Sequence, residues 1–407
     1  MTDLGDSLLE SRYQKGSLDR FTDRLCADSL AKPLGKVDRK FVQSMLKGIS
    51  VSRSLNLTEI ARGLEENISL HATHKRLSRN LYDEALVENI STRLLRLGSE
   101  RVGPNTRLIV HVSELHKKFA RKIEFLPTAE EDSEASFKVC EIIASEPESK
   151  TYFPLLTHVW SHEVPGFISD AEEVFNSVRK VLDATANQGI VFIDNRTVSQ
   201  ATCDMIFADR TINYMILVED RSMPVRVRND CFSLEQMLDR VETRYGKILY
   251  KLVPVGILGA AQTDLDLFVH AGCSGVKIPS SGRPVNFIAL RTKSSILEEH
   301  ATPFLTTQTD LRSRKALMGL VDSFLSMGDI LSMHRALRDS FNPENFRVLS
   351  YKRLQLLMTL LEAVIGYEVS VGGDEMLMDQ VFAQSPHDGQ LQRTYLLPEN
   401  DALALSR

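Results

Sequence analysis

The run Gly189-Ile-Val-Phe-Ile-Asp194 constrains this chain more than any other stretch. Ile190 to Ile193 are apolar and mostly β-branched, which predicts a buried strand that delivers the Asp194 carboxylate to its C-terminal edge. From Ser199 to Phe207 apolar residues recur at helical spacing, and Tyr214-Met-Ile-Leu-Val218 predicts a second strand, ending at Glu219 and Asp220. Strand, helix and strand in that order make a βαβ unit, and the C-terminal ends of its parallel strands are where such sheets do chemistry. Asp194 also suits a turn or a helix cap, and the local sequence leaves both roles open.

The flanking sequence supplies more of the same fold. Residues 107–112, 136–143 and 152–160 predict strands, and residues 169–186 predict an amphipathic helix capped by Ser169 or Asp170. After the βαβ unit, a helix over 234–245 leads into short β-like runs at 247–255, 265–270, 276–279 and 285–291. Gly256, Gly259, Gly272, Gly275 and Gly282 are expected at the turns between them. Residues 311–337 and 351–367 predict helices on either side of a break at Asn342-Pro-Glu-Asn345, and residues after Gly372 have few apolar anchors and are expected to be loosely ordered. The pattern gives an α/β fold class, a mixed sheet flanked by helices.

At 407 residues there is room for two or three domains. No run of about eighteen uncharged apolar residues occurs, and the chain starts Met1-Thr-Asp-Leu-Gly-Asp6, so the expectation is a cytoplasmic protein without a membrane partner. Cys26, Cys140, Cys203, Cys231 and Cys273 form no C-x-x-C pair, which argues against a disulfide framework or a structural zinc site.

A net charge of −5 speaks against nucleic acid as an average, yet residues 11–110 carry an excess of about seven basic over acidic residues. Such a local excess can be a phosphate footprint. Within it, residues 55–81 predict a short helix from Thr58, a turn near Asn67 and a second helix starting between Ser69 and Thr73. The second helix carries His71, Thr73, His74, Lys75, Arg76 and Arg79, with Leu70, Leu77 and Leu81 left for the core. A helix-turn-helix places the N-terminal half of such a helix in the major groove, whereas a plain helical hairpin with a solvated basic face fits the same residues.

Three stretches together carry a family resemblance. They are Leu108-Ile-Val-His-Val-Ser-Glu-Leu-His-Lys-Lys-Phe-Ala-Arg-Lys-Ile-Glu124, Gly189-Ile-Val-Phe-Ile-Asp-Asn-Arg196, and the segment from Phe324 to Arg338 with Glu344-Asn-Phe-Arg-Val-Leu-Ser-Tyr351 after it. In this order they resemble the motifs of DDE transposases of the insertion sequence four family, over residues 41–367. The resemblance implies an RNase H-like mixed sheet interrupted by a β-rich insertion. Its expected boundaries are an N-terminal helical DNA-binding domain over 1–105, a core over 106–220 and 301–370, the insertion over 221–300, and a C-terminal tail over 371–407.

The family's strand-transfer chemistry needs three carboxylates that hold two Mg²⁺ ions about 4 Å apart. At the matching positions this chain has His111, Asp194 and Leu331, so the resemblance implies a catalytic site reduced to Asp194. The expectation is therefore a DNA-binding transposase relative, a pseudoenzyme without strand transfer and without a cofactor. Its partner would be double-stranded DNA, with a homodimer compatible and the bound protein nucleoid-associated. Lys117, Lys118, Arg335 and Arg338 join the basic helix as expected DNA contacts. A second reading keeps DNA cleavage through His111, Glu114 and Asp194 with Mn²⁺ or Mg²⁺, and Asp194 with Glu114 are the metal ligands if there are any. A third makes the protein an interaction scaffold, with Phe324, Met327 and Leu331 forming a docking surface or filling the old cleft.

Overall fold

The structure is a computed structural model that describes residues 15–117, 122–127, 135–147, 151–253, 263–294 and 299–384. In chain order, five helices come first: α1 (Lys15–Leu25), α2 (Lys36–Ser52), α3 (Leu57–Gly63), α4 (Leu70–Asn80) and α5 (Glu84–Ser99). Then follow β1 (Arg107–His116), β2 (Ser136–Ser145), β3 (Tyr152–Trp160), α6 (Asp170–Ala184), β4 (Ile190–Asp194), α7 (Gln200–Ala208) and β5 (Tyr214–Leu217). Next are β6 (Pro224–Val227), β7 (Asp230–Ser233), α8 (Leu234–Arg240), β8 (Tyr245–Val253), β9 (Thr263–Lys277), β10 (Pro284–Ser294) and β11 (His300–Thr306). Three helices close the described chain: α9 (Arg314–Leu325), α10 (Met327–Asp339) and α11 (Tyr351–Gln384).

These elements fall into two compact units. The first is built from the described parts of Met1–Gly103, Val110–Gln188 and His334–Asp379, the second from Pro104–Ile109 and Gly189–Met333. In the first unit, β2 and β3 pair antiparallel, and their register slips between Ile142 and Ile143, one residue beyond Glu141. The last residues of β1 lie on the other side of β2. Along α11, Leu354, Leu356, Leu360, Leu361, Glu362, Ala363 and Val364 have no exposure, the mark of a helix enclosed on all faces. Its segment Tyr351–Val371 has the length and hydropathy of a membrane span, but 78% of the window is buried inside the protein, so its apolar character is that of a core helix.

In the second unit the βαβ expectation is met. The first residues of β1 pair parallel with β4 and β4 pairs parallel with β5, with Ile193 opposite Ile216. From β5 the sheet continues antiparallel through β11, β10 and β9, and β9 carries both β8 and β6, so the sheet is large and mixed. Entry into β4 requires Gly189, whose φ is +93° and where an added Cβ would stand 2.9 Å from the Leu108 side chain. Phe324 of α9 covers this sheet, edge-on to Phe304 at 4.8 Å and stacked on Phe192 at 6.2 Å.

Several local expectations are corrected. Gly272 and Gly275 are not turns; they sit inside β9, which is one strand where two short runs were expected. The reason at Gly272 is close approach, because a Cβ there would overlap the backbone carbonyl of Glu242. Gly282, with φ +64°, is a turn as expected, while Gly256 and Gly259 lie outside the described residues. The helix expected over 311–337 is two helices broken at Ser326, whose Oγ accepts from Arg107 at 2.5 Å. The helix from Tyr351 runs on to Gln384, past the point where a loose tail was expected, and the residues after it lie outside those described.

Candidate functional site

The helix pair α3 and α4 forms in the first unit with a six-residue connection between Gly63 and Leu70. Ser69 caps α4, its Oγ accepting from Ala72 N at 3.2 Å. Leu77 and Leu81 face the core, but Leu70, expected with them, is 41% exposed. Thr73 and Arg76 are not free for a ligand either. Glu66, from the connection, accepts from Thr73 Oγ1 at 2.9 Å and from Arg76 Nη2 at 2.6 Å, and Thr73 is buried. That leaves His71, Lys75 and Arg79 exposed at four-residue spacing, one stripe of the helix, with His74 half-buried beside them.

The other expected cations divide. Lys117 is buried and donates its Nζ to the carbonyls of Lys122 and Val348, both at 3.1 Å, with the Phe346 ring 5.3 Å away. Arg338 is also buried, held by Glu141. Both are internal struts, corrected from the expected phosphate contacts, because each is buried and donates to groups of the protein itself. Arg335 is half-buried, and Lys118 lies outside the described residues.

Asp194 ends β4 in the second unit and is 3% exposed. Arg196, two residues on, grips it: its backbone N donates to Oδ1 at 3.0 Å, its Nε to Oδ1 at 2.9 Å, and its Nη2 to Oδ2 at 2.7 Å. Both carboxylate oxygens thus serve a bidentate arginine. Leu331 is buried in the same unit, as are Phe324 and Met327, so these three fill a core and offer no docking surface. His111 belongs to the first unit, where burial pulls its imidazole down to about 4, keeping it neutral near pH 7. Glu114, the other expected substitute ligand, is exposed, accepting from Ser136 Oγ at 3.2 Å with His116 Nε2 at 3.5 Å.

Near His111 the first unit contains a charged cluster of which the sequence singled out only Arg338, and in another role. Glu141 points inward from β2, His334 and Arg338 lie four residues apart on α10, and Glu362 sits in the apolar run of α11. Arg338 Nη1 donates to Glu141 Oε2 at 2.8 Å and to Ser113 Oγ at 3.2 Å. His334 Nε2 is 3.2 Å from Glu141 Oε1 and 3.8 Å from Glu362 Oε1. One donor atom each from Glu141, His334 and Glu362 lies within 4.8 Å of the others. Neither Glu362 oxygen has a hydrogen-bond donor, and Tyr152 Oη and His111 Nδ1 are likewise buried without a partner. Burial would raise the Glu141 carboxyl, but Arg338 and then His334 hold it well below the usual range. Burial pushes Glu362 up to about 7, with the Glu141 charge adding to the rise. For His334, burial acts downward, but Glu362 and Glu141 outweigh it and the imidazole ends above its ordinary value. A signal for this cluster was present: an acid inside Val-Cys-Glu141-Ile-Ile and another inside Leu-Leu-Glu362-Ala-Val are charges in runs that otherwise read as core.

No family model matches the chain, and no curated protein matches it. Among solved structures the chain is similar to piggyBac transposase in a synaptic complex with hairpin DNA, at a TM-score of 0.40 and 8% identity, over 98% of this chain and 79% of that one. At that distance the likeness carries no argument about function. The tie to the insertion sequence four family therefore stays a resemblance of motifs.

Proposed function

We propose that the protein binds duplex DNA through α4 and does not carry out DDE strand transfer. The observation that supports this most is the exposed stripe His71, Lys75 and Arg79 on a capped helix, with its neighbours Thr73 and Arg76 pinned by Glu66. A capped helix that presents basic side chains in a row suits phosphate tracking and major-groove entry. The silence of the chemistry is supported by Asp194, whose two oxygens are taken up by Arg196, and by the neutral, buried His111 at the first motif position. A carboxylate engaged on both oxygens is a poor magnesium ligand until the arginine leaves. The reading rests on these side chains and on the motifs, not on the likeness to the piggyBac complex.

Filter binding of duplex DNA across a salt series tests it. Affinity should fall steeply with salt, as counterion release demands, and an exchange of Lys75 and Arg79 for alanine should flatten that slope. A wild-type protein with no measurable DNA affinity at low salt would remove the proposal.

A further inference from the structure

We propose that Glu141, His334 and Glu362 form a binding site for one divalent first-row transition ion, which fastens α10 and α11 to β2 inside the first unit. Three ligand atoms come together, Glu141 Oε1, His334 Nε2 and Glu362 Oε1, and the second oxygen of Glu362 has no hydrogen-bond partner. Arg338 occupies only the other oxygen of Glu141, at 2.8 Å, and so orients that carboxylate from behind while leaving Oε1 to the site. The His334 Nε2 separations of 3.2 and 3.8 Å from the two carboxylates bracket the spacing a metal imposes. Donors bound at ~2.0–2.1 Å around a tetrahedral ion stand about 3.3–3.4 Å apart.

The second, independent observation is the state of Glu362. It has no exposure, and neither of its oxygens has a donor. A buried carboxyl without a hydrogen bond is costly, and His334 Nε2, at 3.8 Å from Oε1, stands beyond hydrogen-bond distance. One imidazole with two carboxylates selects Zn²⁺, Mn²⁺ or Fe²⁺ over Mg²⁺, which prefers an all-oxygen octahedron with several waters. The ligands are 2% exposed or less, so the ion would be a structural clasp and not a Lewis acid open to substrate. The site is separate from Asp194, which belongs to the second unit, and does not depend on DNA binding.

The test uses the full chain, stripped with chelator and titrated by equilibrium dialysis with Zn²⁺ alone and with Mn²⁺ alone. The expected result is one bound ion per chain, a rise in melting temperature on adding it, and a loss of affinity of ~10-fold or more in Glu362→Gln and in His334→Gln. Circular dichroism identifies any variant that fails to fold. A second reading on the wild type keeps the test decisive in that event: the Co²⁺-substituted protein should show ligand-field bands without a thiolate charge-transfer band. Cys231→Ser, which removes the exposed thiol, should bind as the wild type does. Binding of neither ion overturns the proposal. Unchanged affinity in a folded Glu362→Gln, or a thiolate band with Co²⁺, overturns it as well.

Discussion

Acidification should weaken the first unit through His111, and the size of the effect follows from its burial. The imidazole is 8% exposed on β1 and its Nδ1 has no partner. Burial pulls its pKa from 6.5 down to about 4; Glu141 opposes this, while Arg335, Arg338 and His334 reinforce it. As pH falls below 6.5 the unfolded chain takes up the proton first, and the folded chain follows only near 4, so stability is lost across that window and not beyond it. At ~1.36 kcal/mol per unit the loss amounts to about 3 kcal/mol. Two neighbours act the other way. Glu362, raised to about 7, takes its proton earlier in the folded state and adds stability as pH falls from about 7 towards 4.5, whereas His334, raised from 6.5, does so only at pH values above 6.5. The wild-type profile is therefore flattened, and the informative quantity is the difference between His111→Leu and wild type at each pH, measured on metal-free protein. Urea unfolding followed by Trp160, the chain's one tryptophan and buried in the same unit, reports it directly. Relative to wild type, the variant should gain about 3 kcal/mol between pH 7 and pH 4. A difference that does not change with pH would refute the reasoning.

Three further outcomes follow from single contacts. Arg338→Met leaves the Glu141 charge buried with only His334 beside it, and should cost ~3–5 kcal/mol by the same fluorescence assay, with much of that recovered when Glu141→Gln is added. Gly272→Ala drives a methyl group into the Glu242 carbonyl and should destabilise the second unit by ~1–3 kcal/mol, seen as faster amide exchange in β8, β9 and β10 while β2 and β3 keep their protection. Lys75→Ala and Arg79→Ala should each lower the salt slope of DNA binding by about one where the side chain meets a phosphate, and an unchanged slope in the double variant would move the footprint away from α4.

What the sequence revealed depended on the range of the interaction. The strand 190–194, the helix after it and the strand at 214–217 were legible because each is fixed by a periodic run that contains its own evidence, and the parallel pairing follows from the helix between them. The helix pair was legible for the same reason, since Ser69 and the basic spacing are local. Gly272 misled because glycine marks both turns and close approaches, and only the distant backbone of Glu242 distinguishes them. Lys117 misled in the opposite way: a lysine in a basic run reads as solvated, and the carbonyl of Val348 that holds it comes from a separate part of the chain.

The buried cluster is the limiting case. Glu141 and Glu362 each look like an isolated acid in an apolar run, and nothing near either of them in sequence indicates which groups complete the cluster. A lone charge in a core run is nevertheless a constraint, because it cannot be buried without partners of opposite charge or a ligand. The two acids in such runs could therefore have been expected to meet basic partners, although the pairing could not have been ranked. The register of β2 against β3 slips beside Glu141, where an irregularity of the strand can re-aim a side chain. Glu141 thus joins His334 and Arg338 across elements of the first unit, whereas Asp194 in the second is met by an arginine only two residues away.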